Sequence, residues 1–210
     1  MPNLGVIIQA RTGSTRLPGK VLMEAAGESI IQRIYRICSG VYQTVVAIPF
    51  GDEALAKHLA AHNIPFFTGH ATDVLDRYVH CAREHRFDNV IRVTGDCPLL
   101  STETLFWIGE QGLKGSYDFY TNAGPGRTSI DGEDCEFISI RLLEFLAKNI
   151  DDKLQREHVT AAIYETGECN SPFSFYAIEY WRDTGKDLSD IKTSIDTQDD
   201  FDTFKNEVEL

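Results

Sequence analysis

The sequence predicts an α/β fold, built on a largely parallel sheet with helices on both faces. Three observations carry this reading. Short apolar runs recur at 4–8, 44–48 and 90–93 without polar alternation, as in strands covered on both sides. Segments with helical spacing of apolar residues lie between them. Gly, Pro and Asp separate the two kinds of segment, which is the rhythm of βαβ units.

Taken in order, Leu4-Gly5-Val6-Ile7-Ile8 is a buried strand, followed by a polar loop from Gln9 to about Lys20. Ile30, Ile31, Ile34 and Ile37 share one face of a helix over 30–38. Thr44 to Ile48 is a second strand, ended by Pro49 and Gly51, and Asp52 can cap a helix that runs to about His62. Ile64 to Phe67 is a brief strand and Asp73 to His85 a helix. Val90 to Val93 is a strand that enters Gly95-Asp96-Cys97-Pro98. After about residue 113 the rhythm changes. Tyr117 to Asn122 reads as a strand, Ala123 to Gly132 as a glycine-rich loop, and Asp134 to Ile140 leads into a helix near 142–148. Gln155 to Thr166 reads as one helix and Ser174 to Ile178 as an alternating strand. Lys192 to Ile195 reads as a strand entering a helix at Asp199. The expected organisation is one domain over 1–210 with a less regular excursion at about 122–185.

Composition bounds the function classes. The 210 residues carry 20 Lys+Arg against 32 Asp+Glu, a formal net charge of −12, with 42% hydrophobic and 25% charged residues. That is ordinary globular composition. Net acidity argues against a general nucleic-acid binder, which needs a basic surface. No apolar run approaches the roughly 18 residues of a membrane span, and the N-terminus lacks a signal-peptide pattern. Five separated cysteines without a Cys-x-x-Cys pair read as reduced thiols of a cytoplasmic protein. His58 and His62 share a helix face without a zincin pattern, so they read as solvated.

The loop Gln9-Ala10-Arg11-Thr12-Gly13-Ser14-Thr15-Arg16-Leu17-Pro18-Gly19-Lys20 follows a buried strand, where open α/β folds bind ligands. Arg11, Arg16, Lys20, Arg33 and Arg36 face only Glu24 and Glu28 over 11–36, a local charge of +3. Such a loop can hold a polyphosphate. It is not a Walker A loop, because Pro18 stands where the second Gly belongs and Val21 replaces Ser/Thr. Asp96, just after a strand, reads equally as a magnesium ligand and as a turn-stabilising carboxylate. Asp196 or Thr197 can cap the last helix. Over 183–210 there are nine acids and three lysines, and Asp199, Asp200 and Asp202 read as solvated charges there.

The run Ile7 to Leu22 closely resembles the opening of CMP-sugar synthetases. It is most similar to their spore-coat polysaccharide (SpsF-like) cytidylyltransferase branch, with acylneuraminate and 3-deoxy-manno-octulosonate cytidylyltransferases as more distant relatives. Four further segments fit that branch in order: 73–78, 92–99, 131–136 and 156–160, with Ile195-Asp196-Thr197 near the end. The resemblance implies a Rossmann-like sheet of nucleotide-diphospho-sugar transferase type. It implies CMP transfer from CTP, with Mg2+, to a sugar acid or related surface-glycan precursor, in a homodimer. The preference for CTP over UTP rests on the resemblance alone.

On that resemblance, Gln9, Ala10, Arg11, Gly13, Ser14, Lys20, Asp73 and Val74 bind the nucleotide. Arg11, Arg16, Lys20 and Asp96 are the catalytic set, and Asp96 and Asp196 bind the metal. Arg127, Asp131, Asp134, Glu136, Arg156 and His158 are candidates for the acceptor side. This chain has Ala161 where family members often carry Pro, and Asp131-Gly132-Glu133-Asp134 where they commonly read Asp-Gly-Leu-Asp. Two rival classes remain: a nucleotide-binding regulatory or scaffold protein without catalysis, and a glycosyltransferase.

Overall fold

The computed structural model describes residues 2–114, 117–124, 126–166, 175–177 and 187–209. Its central sheet has seven strands among the described residues. They are β1 (Leu4–Gln9), β4 (Gln43–Pro49), β5 (Phe66–Gly69), β6 (Asn89–Thr94), β7 (Phe119–Thr121), β8 (Glu136–Ser139) and β9 (Phe175–Ala177). β2 (Glu24–Ala25) and β3 (Glu28–Ser29) form a separate two-stranded ribbon. The sheet order is β5-β4-β1-β6-β8-β7-β9, and β8 alone runs against its neighbours. The expected mostly parallel α/β architecture is therefore present.

Both faces of the sheet are covered. Val6, Ile8, Val46, Ile48, Ile91 and Val93 pack with apolar residues of α1 (Ile30–Ser39), α2 (Glu53–Ala61), α4 (Thr102–Lys114) and α8 (Gln198–Val208). Ile7, Val45, Ala47 and Val90 pack with α3 (Val74–Glu84) and α5 (Ile140–Asn149) on the other face. Alternate residues of each strand thus serve opposite layers, which explains why these strands are apolar at every position.

The helix starts are set by local chemistry. Ser29 caps α1 in a reciprocal box with Gln32, and Asp52 and Asp73 cap α2 and α3. His58 is not simply solvated: its Nε2 lies 2.9 Å from Ser29 Oγ, which ties α2 to the start of α1.

The second half departs from the sequence reading at three places. The segment read as one helix is two, α6 (Lys153–His158) and α7 (Ala161–Thr166), broken at Val159. Val159 has φ +58°, a left-handed conformation that is rare for a β-branched residue, and its side chain is fully buried. The strand expected at 192–195 reduces to one bridge between Asp131 and Lys192, because Thr193 and Ser194 bond back to the Asp131 carbonyl. Of the strand read at 174–178, residues 175–177 form β9, while 174 and 178 lie outside the described residues.

Candidate active site

Parallel register places the carboxyl ends of three strands together. Gln9 pairs with Ala47 on one side and with Thr94 on the other. The loops that leave β1, β4 and β6 therefore emerge on one edge of the sheet. Gly95 lets two of them touch: a Cβ there would lie 3.0 Å from the Gln9 carbonyl, while its own N–H donates to that oxygen at 2.8 Å.

The loop after β1 is folded around Thr12. The Thr12 carbonyl accepts the N–H groups of Ser14 at 2.9 Å and Gly19 at 2.8 Å. Its own N–H and hydroxyl donate to the two oxygens of Asp52, at 2.7 and 2.9 Å. Asp52 thus fixes the loop as well as capping α2. Gly19, with φ +74°, then turns the chain into a 3₁₀ turn at Lys20–Leu22 and delivers Lys20 to the site.

The Lys20 side chain is largely buried, and its ammonium donates to Asp96 at 2.9 Å, Asp196 at 3.2 Å and the Ile195 carbonyl at 2.6 Å. Arg16 reaches the same Asp196 oxygen at 2.7 Å. The Ile195 N–H donates to the Asp96 carbonyl at 2.8 Å, which brings the two aspartate segments together across about 100 residues of sequence. Burial pushes the Asp96 carboxyl up. The Lys20 charge and hydrogen bonds outweigh that, so its pKa lies below the usual carboxylate range.

Asp200 corrects its reading as a solvated charge. Its Oδ2 accepts the N–H groups of Asp196 at 2.9 Å and Thr197 at 2.8 Å, and pairs with Lys192 at 2.8 Å. Despite the opposing effect of desolvation, these bonds hold its pKa far below the usual range. Thr197, not Asp196, is the helix cap, so the Asp196 carboxylate is left to face cations.

These residues line an open cavity of about 260 Å³. Of the expected nucleotide and catalytic residues, it gathers Gln9, Ala10, Arg11, Ser14, Arg16, Lys20 and Asp96, together with the expected metal ligand Asp196. Three expected residues lie elsewhere. Gly13 is in the loop but does not line the cavity, and the Val74 side chain belongs to the core. Asp73 caps α3, pairs with Arg156 at 2.7 Å and borders a separate groove.

A second, more open cavity adjoins the first and is lined by Ala123, Gly124, Asp134, Glu136, Thr160 and Tyr164, among others. Arg92 and His158 line both cavities. Arg92 pairs with Glu136 at 2.6 Å and reaches the Gln9 side chain at 3.3 Å. Glu136 also accepts hydroxyls from Thr160 at 3.0 Å and Tyr164 at 2.6 Å. Burial raises the Asp134 pKa to about 6, although Arg127 pairs with it at 2.7 Å.

The expected acceptor-side residues therefore separate into three groups. Asp134, Glu136 and His158 line the second cavity. Arg127 and Asp131 support it from behind through the Arg127–Asp134 pair and a 3.5 Å Arg127–Asp131 pair. Arg156 is engaged by Asp73 and by the Ala147 and Ile150 carbonyls.

A divalent ion fits the first cavity through its donor chemistry. Asp96 and Asp196 converge on one ammonium, so the same oxygens can converge on one cation. Among the described residues no cluster of three or more His, Cys, Asp or Glu forms a complete metal cage. Two carboxylates completed by phosphate oxygens and water are the arrangement that magnesium favours.

Sequence reasoning gave no site role to Arg92 or Asp52, nor to Thr160 and Tyr164 of the second cavity. In the sequence Arg92 stands as a cation inside an otherwise apolar strand, at the head of the family-like 92–99 segment, and Asp52 as a helix cap.

Comparison with known proteins identifies the family and the fold. A family model described as cytidylyltransferase matches residues 5–208. The chain is 31% identical to the spore coat polysaccharide biosynthesis protein SpsF of Bacillus subtilis, over 98% of this chain and 86% of that one. A solved cytidylyltransferase of Leptospira borgpetersenii superposes with a TM-score of 0.88 at 30% identity, covering 98% and 86% of the two chains. A CMP:2-keto-3-deoxy-manno-octonic acid synthetase complexed with CTP shares the fold, with a TM-score of 0.73 at 13% identity and 98% coverage of both chains.

Proposed function

The chain belongs to the cytidylyltransferase family and is a nucleotidyltransferase, and from that premise we propose that it transfers CMP from CTP to a hydroxyl of a sugar acid or related surface-glycan precursor, releasing pyrophosphate. The observation that carries this reading is the first cavity, where a cationic loop and two aspartates from distant segments share one edge of a parallel sheet. No described helix is long and apolar enough to cross a membrane.

The roles follow from charge and position. Arg16 and Lys20 are placed to bind the β- and γ-phosphates and to offset the charge that builds on the departing pyrophosphate. Arg11 stands at the rim, paired with Glu157 at 3.0 Å, and adds a third cation to that end of the cavity. Ser14 and Thr15 offer hydroxyls and amides to phosphate oxygens. Asp96 and Asp196 would hold Mg2+, which supplies charge neutralisation and polarisation of the phosphates when bound. The adjoining cavity receives the acceptor, and alignment of its hydroxyl with the α-phosphorus accounts for much of the rate.

Mixing the protein with CTP, Mg2+ and a set of eight- and nine-carbon sugar acids tests the reading through pyrophosphate release. A regulatory nucleotide binder would bind CTP and release none. A glycosyltransferase would consume the CMP-sugar rather than form it.

A further inference from the structure

We infer that His158 accepts the proton of the attacking acceptor hydroxyl, at the junction where the two cavities meet. The inference rests on the proposed CMP transfer and adds a proton acceptor to a set of residues that otherwise only binds and aligns.

Four observations converge on this residue. His158 and Arg92 are the two residues that border both the nucleotide cavity and the adjoining one. A hydroxyl that passes from the second cavity to a phosphate in the first must approach them. Among the described residues, neither ring nitrogen of His158 is held by a hydrogen bond or an ion pair, so the imidazole is free to meet a substrate. The next residue, Val159, is fully buried with φ +58°, and its side chain packs in the core. Strain of this kind persists only where the surroundings over-determine it, and it clusters at functional positions. Here it breaks what would be one continuous helix and leaves His158 at the end of α6. Finally, α6 is pinned to the phosphate loop by the Arg11–Glu157 pair, one residue before the imidazole.

The alternatives in the same region are weaker. Asp134 lines only the second cavity and is paired with Arg127. Glu136 is saturated by Arg92, Thr160 and Tyr164. Arg92 remains protonated, since Glu136 more than offsets the burial that would lower its pKa. Imidazole is also the side chain that most often exchanges protons near neutrality.

The step balances without a further reactant. The acceptor O–H bond breaks and its proton passes to His158. The freed oxygen forms a bond to the α-phosphorus of CTP, and the bond from that phosphorus to the bridging oxygen breaks, so that the electron pair leaves with pyrophosphate. Arg92, which borders the same two cavities, supplies a positive charge to that junction from the strand side.

His158 is exposed, so substitution there leaves the core intact. The test compares wild type, His158→Ala and His158→Gln for CTP binding by calorimetry. Pyrophosphate release is then measured with 3-deoxy-manno-octulosonate and N-acetylneuraminate as acceptors, with and without added imidazole. The expected result is a fall in kcat of about 100-fold or more for both variants, CTP affinity within about twofold of wild type, and partial recovery of His158→Ala by imidazole. Wild-type rates in either variant, or a loss in His158→Ala that imidazole does not relieve, would overturn the role of His158 alone. Failure of the wild-type protein to release pyrophosphate with either acceptor would overturn the transfer reading and this inference together.

Discussion

The Lys20 ammonium lies 2.9 Å from the Asp96 carboxylate and at the same time 3.2 Å from Asp196. One cation on the phosphate loop therefore bridges two carboxylates that would otherwise repel each other, and Arg16 adds a second charge at Asp196. A divalent ion held by those oxygens would leave the ammonium free to turn towards a triphosphate.

Lys20→Met keeps the length of the side chain and removes its charge, so Asp96 and Asp196 lose their shared partner. Mn2+ binding without nucleotide, read by electron paramagnetic resonance, should tighten several-fold, and turnover should fall by 100-fold or more on the scale of lost transition-state contacts, about 2.7 kcal/mol. Unchanged Mn2+ affinity would show that Lys20 does not compete for these carboxylates.

Asp52 tests how the loop is held. Asp52→Ala removes the acceptor for the Thr12 N–H and hydroxyl and the cap of α2. Loss of a cap and a loop hydrogen bond should lower stability by about 1–2 kcal/mol and weaken CTP binding, because Arg16 and Lys20 lie on the loop that it fixes. Denaturant unfolding and calorimetry read the two effects separately. A stability loss with unaltered CTP affinity would confine Asp52 to the helix.

Asp134 gives a pH-dependent prediction. Its pKa is 3.8 in the absence of shifts and rises to about 6 in the folded protein, mainly through burial. The folded state therefore binds the proton more tightly than the unfolded one. Stability from this group is fully present below about pH 4 and is lost as pH rises through 6. Asp134→Asn removes that dependence, so the melting temperature of the variant should gain on wild type between pH 4 and 7 in paired scans. A constant difference across that range would mean that burial does not govern this carboxyl.

The parts of the fold that were legible in the sequence are those fixed by local pattern. Ile30 to Ile37 declared a helix by spacing, and Val6 to Ile8 and Val45 to Ile48 declared covered strands by unbroken apolarity. The cationic loop was legible because its charge and glycines fall within twelve residues. Roles that depend on distant partners were not. Asp52 looks like any helix cap until the chain brings Thr12 to it from 40 residues away. Arg92 reads as an interruption of a strand until Glu136 and Gln9 meet it from two neighbouring strands. Val159 gives no sequence sign of its left-handed backbone, because tertiary packing and not propensity imposes it. Asp200 is a nearer miss, since the Thr197-x-x-Asp200 spacing has the form of a reciprocal helix cap.

The most direct test of the account follows the two ends of the triphosphate separately. CTP labelled at the α-phosphorus in one sample and at the γ-phosphorus in another is incubated with the protein, Mg2+ and the sugar-acid acceptors, and the products are separated. The account predicts that the α-label appears in a CMP-linked acceptor and the γ-label in pyrophosphate, with both transfers lost in Asp96→Asn. A γ-label recovered on the acceptor, or an α-label that moves as readily in Asp96→Asn as in wild type, would contradict it.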